Sequence, residues 1–222
     1  MKKSDSVYIM LTCIRVKTNR AFQHILTFYK RPTKQTPIIK VLDLTYAKGH
    51  SWEKTGEEKI DELVSHYYVV KADKNSYDNP DITIIDVRNS LPMFVNESFD
   101  VIYYDPPFYF TDGKKDIDYT KLLEKMLTTK DEVFWTINDF KISCKNLEIE
   151  VPRILKKGGI FIIKIGDAYT KDEYFPSSFY FWDTFKTSLK IMGHFMIMTE
   201  AKDCIFHMVK DNVYHYLVFK KE

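Results

Sequence analysis

Short apolar runs and amphipathic segments alternate along most of this chain. The runs are rich in β-branched and aromatic residues and have the length of strands, whereas Ile60, Leu63 and Val64 stand at helical spacing. Between residues 38 and 165 the pattern predicts strands at 38–44, 68–72, 82–85, 99–104 and 160–165. It predicts helices at 55–67, 121–127 and within 133–155, with Gly158-Gly159 ending the last one. This alternation favours a doubly wound α/β domain with a mostly parallel sheet and helices on both faces.

The C-terminal part of the chain has a different pattern. After a helix predicted at 178–192, strands at 195–199 and 214–219 follow each other without a helix between them. Two such strands are expected to form an antiparallel hairpin at an edge of the sheet. We therefore expect a seven-stranded, mostly parallel sheet in a single domain over residues 1–222. Residues 1–37 would be an N-terminal extension, with a further strand candidate at 7–16 and a short helix at 20–29.

Composition narrows the class of protein only slightly. The 222 residues are 45% hydrophobic and 29% charged, which is ordinary for a soluble globular protein. A net charge of +2 neither requires nor excludes a nucleic-acid partner. Cys13, Cys144 and Cys204 are odd in number and widely spaced, so a reducing, cytoplasmic compartment is expected rather than a disulfide framework.

No targeting or metal-binding signal stands out in the sequence. No apolar stretch reaches ~18 residues, and the N-terminal apolar run is interrupted by Arg15 and Lys17, so neither a membrane span nor a signal peptide is predicted. The six histidines form no HExxH or comparable cluster. We therefore expect a protein that uses no metal and contacts no membrane; its oligomeric state, monomer or homodimer, stays open.

An aspartate stands at or directly after the end of each of the first four strands of the predicted sheet. These residues are Asp43, Asp73, Asp86 and Asp105. A single aspartate after a strand is usually a turn or helix-cap residue. In a doubly wound sheet, however, the carboxyl ends of the strands lie along one edge, where ligands bind. The ordered set therefore predicts a binding site at that edge.

The fourth strand leads into the tetrapeptide Asp105-Pro106-Pro107-Phe108. Consecutive prolines fix φ, remove two backbone donors and restrict the residue before them. The turn is therefore predicted to be stiff and to present one carboxylate, free backbone carbonyls and one aromatic ring. Such a turn suits a flat base that carries an amino group, because the oxygens can accept hydrogen bonds from the NH2 and the ring can cover the base.

Together these segments resemble a known enzyme family. The order VLDLTYAKG, VVKAD, ITIID, VIYYDPPF and RILKKGGIFIIKIGD is similar to class I S-adenosylmethionine-dependent methyltransferases. Within that class it resembles the amino-methyltransferases of DNA, which modify adenine N6 or cytosine N4. The resemblance covers roughly residues 38–221, and DPPF is its specific part. It implies a Rossmann-like methyltransferase fold, S-adenosylmethionine as the cofactor, and nucleic acid, DNA rather than RNA, as the partner.

The resemblance also implies roles for individual residues. The methionine part of the cofactor would lie along Asp43, Thr45, Tyr46, Ala47 and Gly49, while Asp73 would hold the ribose and Asp86 the adenine. The catalytic turn would be Asp105, Pro106, Pro107 and Phe108, with the amine bonded to Asp105 and the Pro106 carbonyl. The substrate base would contact Phe108, Tyr109, Lys164 and Asp167. Residues 109–150 would include an insertion that contacts nucleic acid.

Ala47 departs from the family pattern, which usually has glycine at this position. Alanine disfavours positive φ and adds a methyl group on the cofactor side of the turn. Three hypotheses follow from the sequence. The first is a DNA amino-methyltransferase acting on adenine N6. The second is an RNA methyltransferase acting on adenine N6 or guanine N2, and the third is a degenerate, non-catalytic module that binds nucleic acid.

Overall fold

The structure is a computed structural model that describes residues 11–15, 18–106, 136–169, 174–200 and 211–222. Ten strands lie in these ranges: β1 (Leu11–Arg15), β2 (Ile39–Asp43), β3 (Tyr67–Asp73), β4 (Thr83–Ile84), β5 (Phe99–Tyr104), β6 (Leu155–Ile165), β7 (Ala168–Tyr169), β8 (Tyr174–Phe175), β9 (Lys190–Glu200) and β10 (Asp211–Lys220). The helices in the same ranges are α1 (Thr18–Tyr29), α2 (Glu58–Val64), α3 (Ile137–Ile154) and α4 (Ser177–Phe185), with a 3₁₀ turn at His50–Trp52.

Eight of the strands form one sheet in the order β1-β9-β10-β6-β5-β2-β3-β4. Every neighbouring pair is parallel except those of β10, which runs antiparallel to both β6 and β9. The chain proceeds from β2 outward to β3 and β4, and then returns to the other side of β2 with β5. The topological switch point therefore lies between β2 and β5, where doubly wound sheets bind their ligands.

The predicted fold class is confirmed. The seven strands expected from residue 38 onward form a doubly wound, mostly parallel sheet, and β9 and β10 make the antiparallel hairpin. The N-terminal extension adds an eighth strand, because β1 pairs in parallel with the outer edge of β9. A small second sheet of β7 and β8 follows β6 and was not predicted.

Two predicted helix boundaries were wrong. The helix expected at 178–192 is shorter, because α4 ends at Phe185 and β9 begins at Lys190. Gly158-Gly159 does not end the helix before β6, because α3 ends at Ile154 and β6 begins at Leu155. Both glycines lie inside β6, and a Cβ at Gly159 would lie 2.8 Å from the Lys156 carbonyl oxygen and 3.2 Å from that of Asp100. Glycine is needed here for close backbone approach rather than for a helix cap.

Helices cover both faces of the sheet, as the alternation predicted. On one face, the apolar side of α1 packs against Val41, Val101 and Ile162. On the other, α3 and α4 pack against Ile102, Phe161 and other strand residues of the same face. Neighbouring strand residues thus alternate between two cores, which is expected of strands buried on both sides. None of the helices in the described ranges is long and apolar enough to cross a membrane.

The proposed insertion at 109–150 is only partly covered by the structure. Residues 109–135 lie outside the described ranges. Residues 137–150 belong to α3, which begins after a capping box formed by Thr136 and Asp139 and buries Phe140, Cys144 and Leu147. A contact between the remaining part, 109–135, and nucleic acid stays a prediction, as does the single-domain organisation.

Phe22 connects α1 to the sheet and to the turn after β2. Its ring stacks on Tyr103 with centroids 4.0 Å apart and meets Trp52 edge-on at 5.1 Å. We expect Phe22→Ala to lower the free energy of unfolding by about 3–5 kcal/mol, because a fully buried ring is replaced by a cavity. Urea titration followed by circular dichroism measures this change.

Phe28 is a matched control on the same helix, because its side chain is 78% exposed. Phe28→Ala should change the free energy of unfolding by no more than about 0.5 kcal/mol. Equal losses in the two variants would show that the packing of Phe22 is not what fixes α1 on the sheet.

Candidate active site

The site lies where β2 and β5 end at the switch point. These strands pair in a register that places Asp43 opposite Tyr103, so Thr45 and Asp105 come to lie beside each other two residues later. The backbone N–H of Asp105 donates to Thr45 Oγ1 at 2.7 Å. This hydrogen bond joins the turn that follows β2 to the first residue of the DPPF segment.

The Asp105 carboxylate is held from two sides. Lys164 Nζ on β6 lies 2.7 Å from Asp105 Oδ2, and the Tyr103 hydroxyl donates to the same oxygen at 3.4 Å. The side chains of Lys164 and Asp105 are only 13% and 20% exposed. The Lys164 ammonium also lies over the ring of Tyr214, 5.0 Å from its centroid. Asp105 therefore has a fixed orientation and still borders solvent.

Asp43 organises the turn from within. It is 1% exposed, its Oδ1 accepts the Thr45 backbone N–H at 3.0 Å, and its Oδ2 accepts Trp52 Nε1–H at 2.7 Å. Burial raises the pKa of Asp43 to about 7, although the hydrogen bonds from Trp52 and Thr45 oppose that rise. The nearby charges of Asp105 and Asp73 raise the same pKa further. Three of the predicted carboxylates are thus close enough to interact.

Ala47 and Gly49 both adopt the left-handed backbone region, with φ of 48° and 77°. The family resemblance pointed to Ala47 as the departure from glycine, and the structure places the alanine in a conformation that costs an L-residue roughly 1–2 kcal/mol. Its N–H donates to Asp73 Oδ2 at 2.9 Å, which helps to hold this conformation. A Cβ at Gly49 would lie 2.6 Å from the Tyr46 hydroxyl oxygen, so the Tyr46 ring already covers that glycine.

Asp73 and Asp86 stand at the ends of β3 and β4. Asp73 is 7% exposed, and its Oδ1 accepts the Asn75 N–H at 3.1 Å. Asp86 accepts the Arg88 guanidinium, with Nη2 2.6 Å from Oδ2, and this contact lowers the pKa of Asp86. Arg88 also donates to Asp139 at the start of α3, at 3.1 Å. Arg88 thus joins the end of β4 to the helix that follows the DPPF segment.

Lys164 and Asp167, predicted to border the base, face different neighbours. Asp167 Oδ1 accepts the Ser178 N–H at 2.8 Å at the start of α4, and its Oδ2 accepts the Tyr174 hydroxyl at 2.6 Å. His215 Nε2 lies 3.9 Å from the same carboxylate. Lys164 instead contacts Asp105, so of these two residues only Lys164 contacts the part of the predicted catalytic turn that the structure describes.

Several contacts of the site were not predicted from the sequence. Tyr103 could have been found, because it lies two residues before Asp105 and therefore on the same side of β5. Trp52 and Tyr214 depend on turn geometry and strand register, which the sequence alone does not show. Pro106 is buried beside Asp105. Pro107, Phe108 and Tyr109 lie outside the described residues, so their predicted roles stay predictions.

The residues present fit S-adenosylmethionine in their chemistry. Asp73 places a carboxylate beside the turn, where its Oδ2 accepts the Ala47 N–H, and carboxylate oxygens are suitable acceptors for ribose hydroxyls. The nearby carboxylates Asp43, Asp73 and Asp105 favour a positively charged group such as a sulfonium, and the Lys164 ammonium already balances the charge of Asp105. The side chain of Tyr46 lies against the turn where the methionine part would pass. The roles predicted for these residues therefore remain chemically consistent.

The buried Asp43 makes stability depend on pH. Its pKa is about 7 in the folded protein and about 3.9 in an unfolded chain, so the folded state binds more protons between these values. Stability is therefore expected to fall as pH rises from about 4 to about 7, by on the order of 2–4 kcal/mol from this group. Asp43→Asn should remove this slope. Urea titrations of both proteins at a series of pH values measure it, and parallel profiles would contradict the buried, proton-binding state of Asp43.

No protein-family model matches the sequence, and no curated protein matches it either. Solved structures do match. A SAM-dependent methyltransferase from Methanosarcina mazei is 12% identical with a TM-score of 0.50, over 89% of this chain and 96% of that one. The N-methyltransferase NodS from Bradyrhizobium japonicum, in complex with S-adenosyl-L-homocysteine, is 10% identical with a TM-score of 0.50, over 91% and 86%. A TehB-like SAM-dependent methyltransferase from Corynebacterium glutamicum gives 13% identity and 0.48, over 90% and 87%. The chain has the Rossmann-like fold of SAM-dependent methyltransferases.

Proposed function

We propose that the protein methylates an exocyclic amino group of a nucleic-acid base, adenine N6 of DNA in the first instance, with S-adenosylmethionine as the methyl donor. One observation carries the proposal. At the switch point of a methyltransferase fold, Asp105 presents a fixed carboxylate and its backbone is bonded to Thr45 of the turn after β2. A carboxylate followed by Pro106 is a pair of acceptors suited to an NH2 group.

The cofactor would be held at the carboxyl ends of β2, β3 and β4. Asp73 would accept the ribose hydroxyls and Asp86 the adenine amino group, with the turn from Asp43 to Gly49 along the methionine part. When bound, S-adenosylmethionine supplies a methyl group on a positively charged sulfur, and the thioether S-adenosylhomocysteine is left after transfer. The chain itself contributes the negative electrostatic potential of the carboxylates Asp43, Asp73 and Asp105.

The chain's own chemistry acts on the amine. An amino group on an aromatic ring is a poor nucleophile, because its lone pair is delocalised into the ring. Hydrogen bonds from the NH2 to Asp105 and to the Pro106 carbonyl localise that lone pair and stabilise the positive charge that develops on nitrogen. As the N–C bond forms and the C–S bond breaks, the amine proton can leave to solvent. Much of the acceleration comes from holding the amine in line with the methyl group.

DNA is the proposed substrate because the target base can be flipped out of the helix into a site at the sheet edge. Phe108 is proposed to stack on the flipped base. Lys114-Lys115 are proposed to contact phosphates in this arrangement. The basic loop 30–34 lies at the opposite edge of the sheet, because Lys30 Nζ donates to the Gly158 carbonyl oxygen and the Lys30 carbonyl accepts from the hydroxyl of Tyr67, the first residue of β3. An RNA base in an unpaired strand offers the same amine, so RNA methylation is the competing outcome of the experiments below.

A non-catalytic module is a second candidate, and the cofactor turn is the observation that favours it. Ala47 occupies a left-handed position at an energetic cost, and Tyr46 covers Gly49. Both features crowd the side of the turn where the cofactor would lie. The two candidates differ in a direct way, because only the enzyme needs to bind S-adenosylmethionine.

The first part of the proposal is that the protein binds S-adenosylmethionine, and a binding measurement tests it. Isothermal titration calorimetry should detect S-adenosylmethionine binding to the wild-type protein. Asp73→Ala should weaken it by about 10–150-fold, because hydrogen bonds to a charged group contribute roughly 1.5–3 kcal/mol. No detectable binding by the wild type at millimolar cofactor would support the non-catalytic module.

Asp81→Ala is a matched control for that experiment. Asp81 is 73% exposed and pairs with Lys71, so its loss should leave cofactor affinity unchanged within about twofold. Equal weakening in the Asp73 and Asp81 variants would indicate a general electrostatic effect rather than a ribose site.

The second part of the proposal is that the protein methylates a base amine in DNA, and a methyl-transfer assay tests it. With tritium-labelled cofactor, wild-type protein should label duplex DNA more than structured RNA, and nuclease digestion with mass spectrometry should identify N6-methyladenine. Asp105→Ala should reduce labelling at least about 10²–10³-fold, because a positioned group that stabilises transition-state charge is lost. Labelling of RNA alone would overturn the choice of DNA.

Asp183→Ala provides the control for Asp105→Ala, since Asp183 forms an exposed ion pair with Lys186 at the end of α4. Cofactor affinity and thermal unfolding should be measured for both variants, so that loss of fold is distinguished from loss of chemistry. Full activity of Asp105→Ala would show that the DPPF turn is structural.

A further inference from the structure

Lys164 is a nearly buried cation in an otherwise apolar strand segment. It interrupts the run Ile160–Ile165 near the carboxyl end of β6, and its side chain is 13% exposed. Within the described ranges its ammonium makes one hydrogen bond, to Asp105 Oδ2, and lies over the Tyr214 ring. A partly buried ion pair of this kind is weak support for stability, because removing two charges from water costs much of what their attraction returns. Its position beside the catalytic turn therefore points to a role at the site.

The ion pair of Asp105 and Lys164 presents a hydrogen-bond acceptor and a hydrogen-bond donor side by side. An ammonium has three N–H donors. One bonds to Asp105 and one can face the ring of Tyr214, which leaves a donor next to the carboxylate. The atoms Asp105 Oδ2 and Lys164 Nζ are 2.7 Å apart. An amino nitrogen and a ring nitrogen on the same carbon are separated by about 2.3 Å, as two partial double C–N bonds of about 1.33 Å require.

We propose that Asp105 and Lys164 together recognise the edge of the target base, Asp105 accepting from its amino group and Lys164 donating to the adjacent ring nitrogen. This inference rests on the proposed function and adds the residue that recognises the base beside its amino group. The site selects an amine whose neighbouring ring nitrogen has a free lone pair, as in adenine (N6 and N1) or cytosine (N4 and N3). An aliphatic amine or a hydroxyl substrate offers no such pair.

The contact is expected to contribute to binding and base choice rather than to the chemical step. A hydrogen bond donated to the ring nitrogen withdraws electron density from the amine, which makes the amine a slightly weaker nucleophile. Lys164 also fixes Asp105, so a purely positioning role has to be distinguished. Removing the ring nitrogen from the substrate does this, because it leaves the protein unchanged and keeps the exocyclic amine in its place.

The experiment compares oligonucleotides in which the mapped target adenine is replaced by 1-deazaadenine or 7-deazaadenine. For wild-type protein, 1-deazaadenine should lower kcat/KM by about 10–100-fold, mainly through KM, as expected for a lost hydrogen bond to a charged donor. The 7-deaza control keeps N1 and should react like adenine. If mapping identifies cytosine as the target, 3-deazacytosine takes the place of 1-deazaadenine.

Lys164→Met completes a double-mutant cycle with the two substrates. The variant should have a lower kcat/KM with adenine than the wild type. Replacing adenine by 1-deazaadenine should not lower its kcat/KM further, so the ratio of kcat/KM for adenine to kcat/KM for 1-deazaadenine should fall to near one. Lys164→Arg keeps a donor and should restore part of the ratio. Lys186→Met, at an exposed ion pair, should behave as the wild type. Thermal unfolding and cofactor affinity are measured for each protein.

The outcomes distinguish failure of base recognition by Lys164 from failure of the proposed methyltransferase function. If the change from adenine to 1-deazaadenine lowers kcat/KM as much for Lys164→Met as for the wild type, Lys164 only positions Asp105 and the inference is overturned. If Lys164→Met does not fold, a wild type that treats 1-deazaadenine like adenine overturns it equally. A wild type that methylates neither DNA nor RNA overturns the proposed function, and the inference with it.

Discussion

The pairing of β2 with β5 is the constraint on which the site depends. These strands are far apart in sequence, and their register sets Asp43 opposite Tyr103. Because both strands run in the same direction, the residues that follow them leave at the same edge, and the Asp105 N–H reaches Thr45 Oγ1. A shift of one residue would turn Asp105 and Tyr103 to the opposite face of the sheet. The two halves of the site meet only in the observed register.

Electrostatics at this edge oppose the stability of the fold. Asp43 is buried, with a pKa raised to about 7, and Asp73 and Asp105 contribute to that rise. Lys164 is the counter-charge found next to Asp105. Ala47 adds backbone strain in the same turn. Clusters of like charges are frequent at functional sites, where function compensates for their electrostatic cost.

The sequence predicts the sheet and the order of its acidic strand ends, because β-branched runs and the residues after them are local signals. Asp73 and Asp105 stand at strand ends as expected. The pairing of Lys164 with Asp105 could not be predicted, since it depends on how β5 and β6 align. The role of Gly159 was misjudged for a similar reason: the neighbouring carbonyls of Asp100 and Lys156 lie close in space, and a local helix-cap pattern does not show them. Side-chain contacts between strands follow from register, which composition leaves undetermined.

The turn after β2 connects the two halves of the proposed reaction. Thr45 belongs to the turn along which the cofactor would lie, and its hydroxyl holds the backbone of Asp105. The Asp73 carboxylate in turn accepts a hydrogen bond from the backbone N–H of Ala47 in the same turn. A ligand that shifts the turn therefore shifts the carboxylate that would bind the amine, and an amine bound at Asp105 restrains the turn. Since coupling between two binding sites is reciprocal, cofactor and base are expected to influence each other's affinity through these two hydrogen bonds.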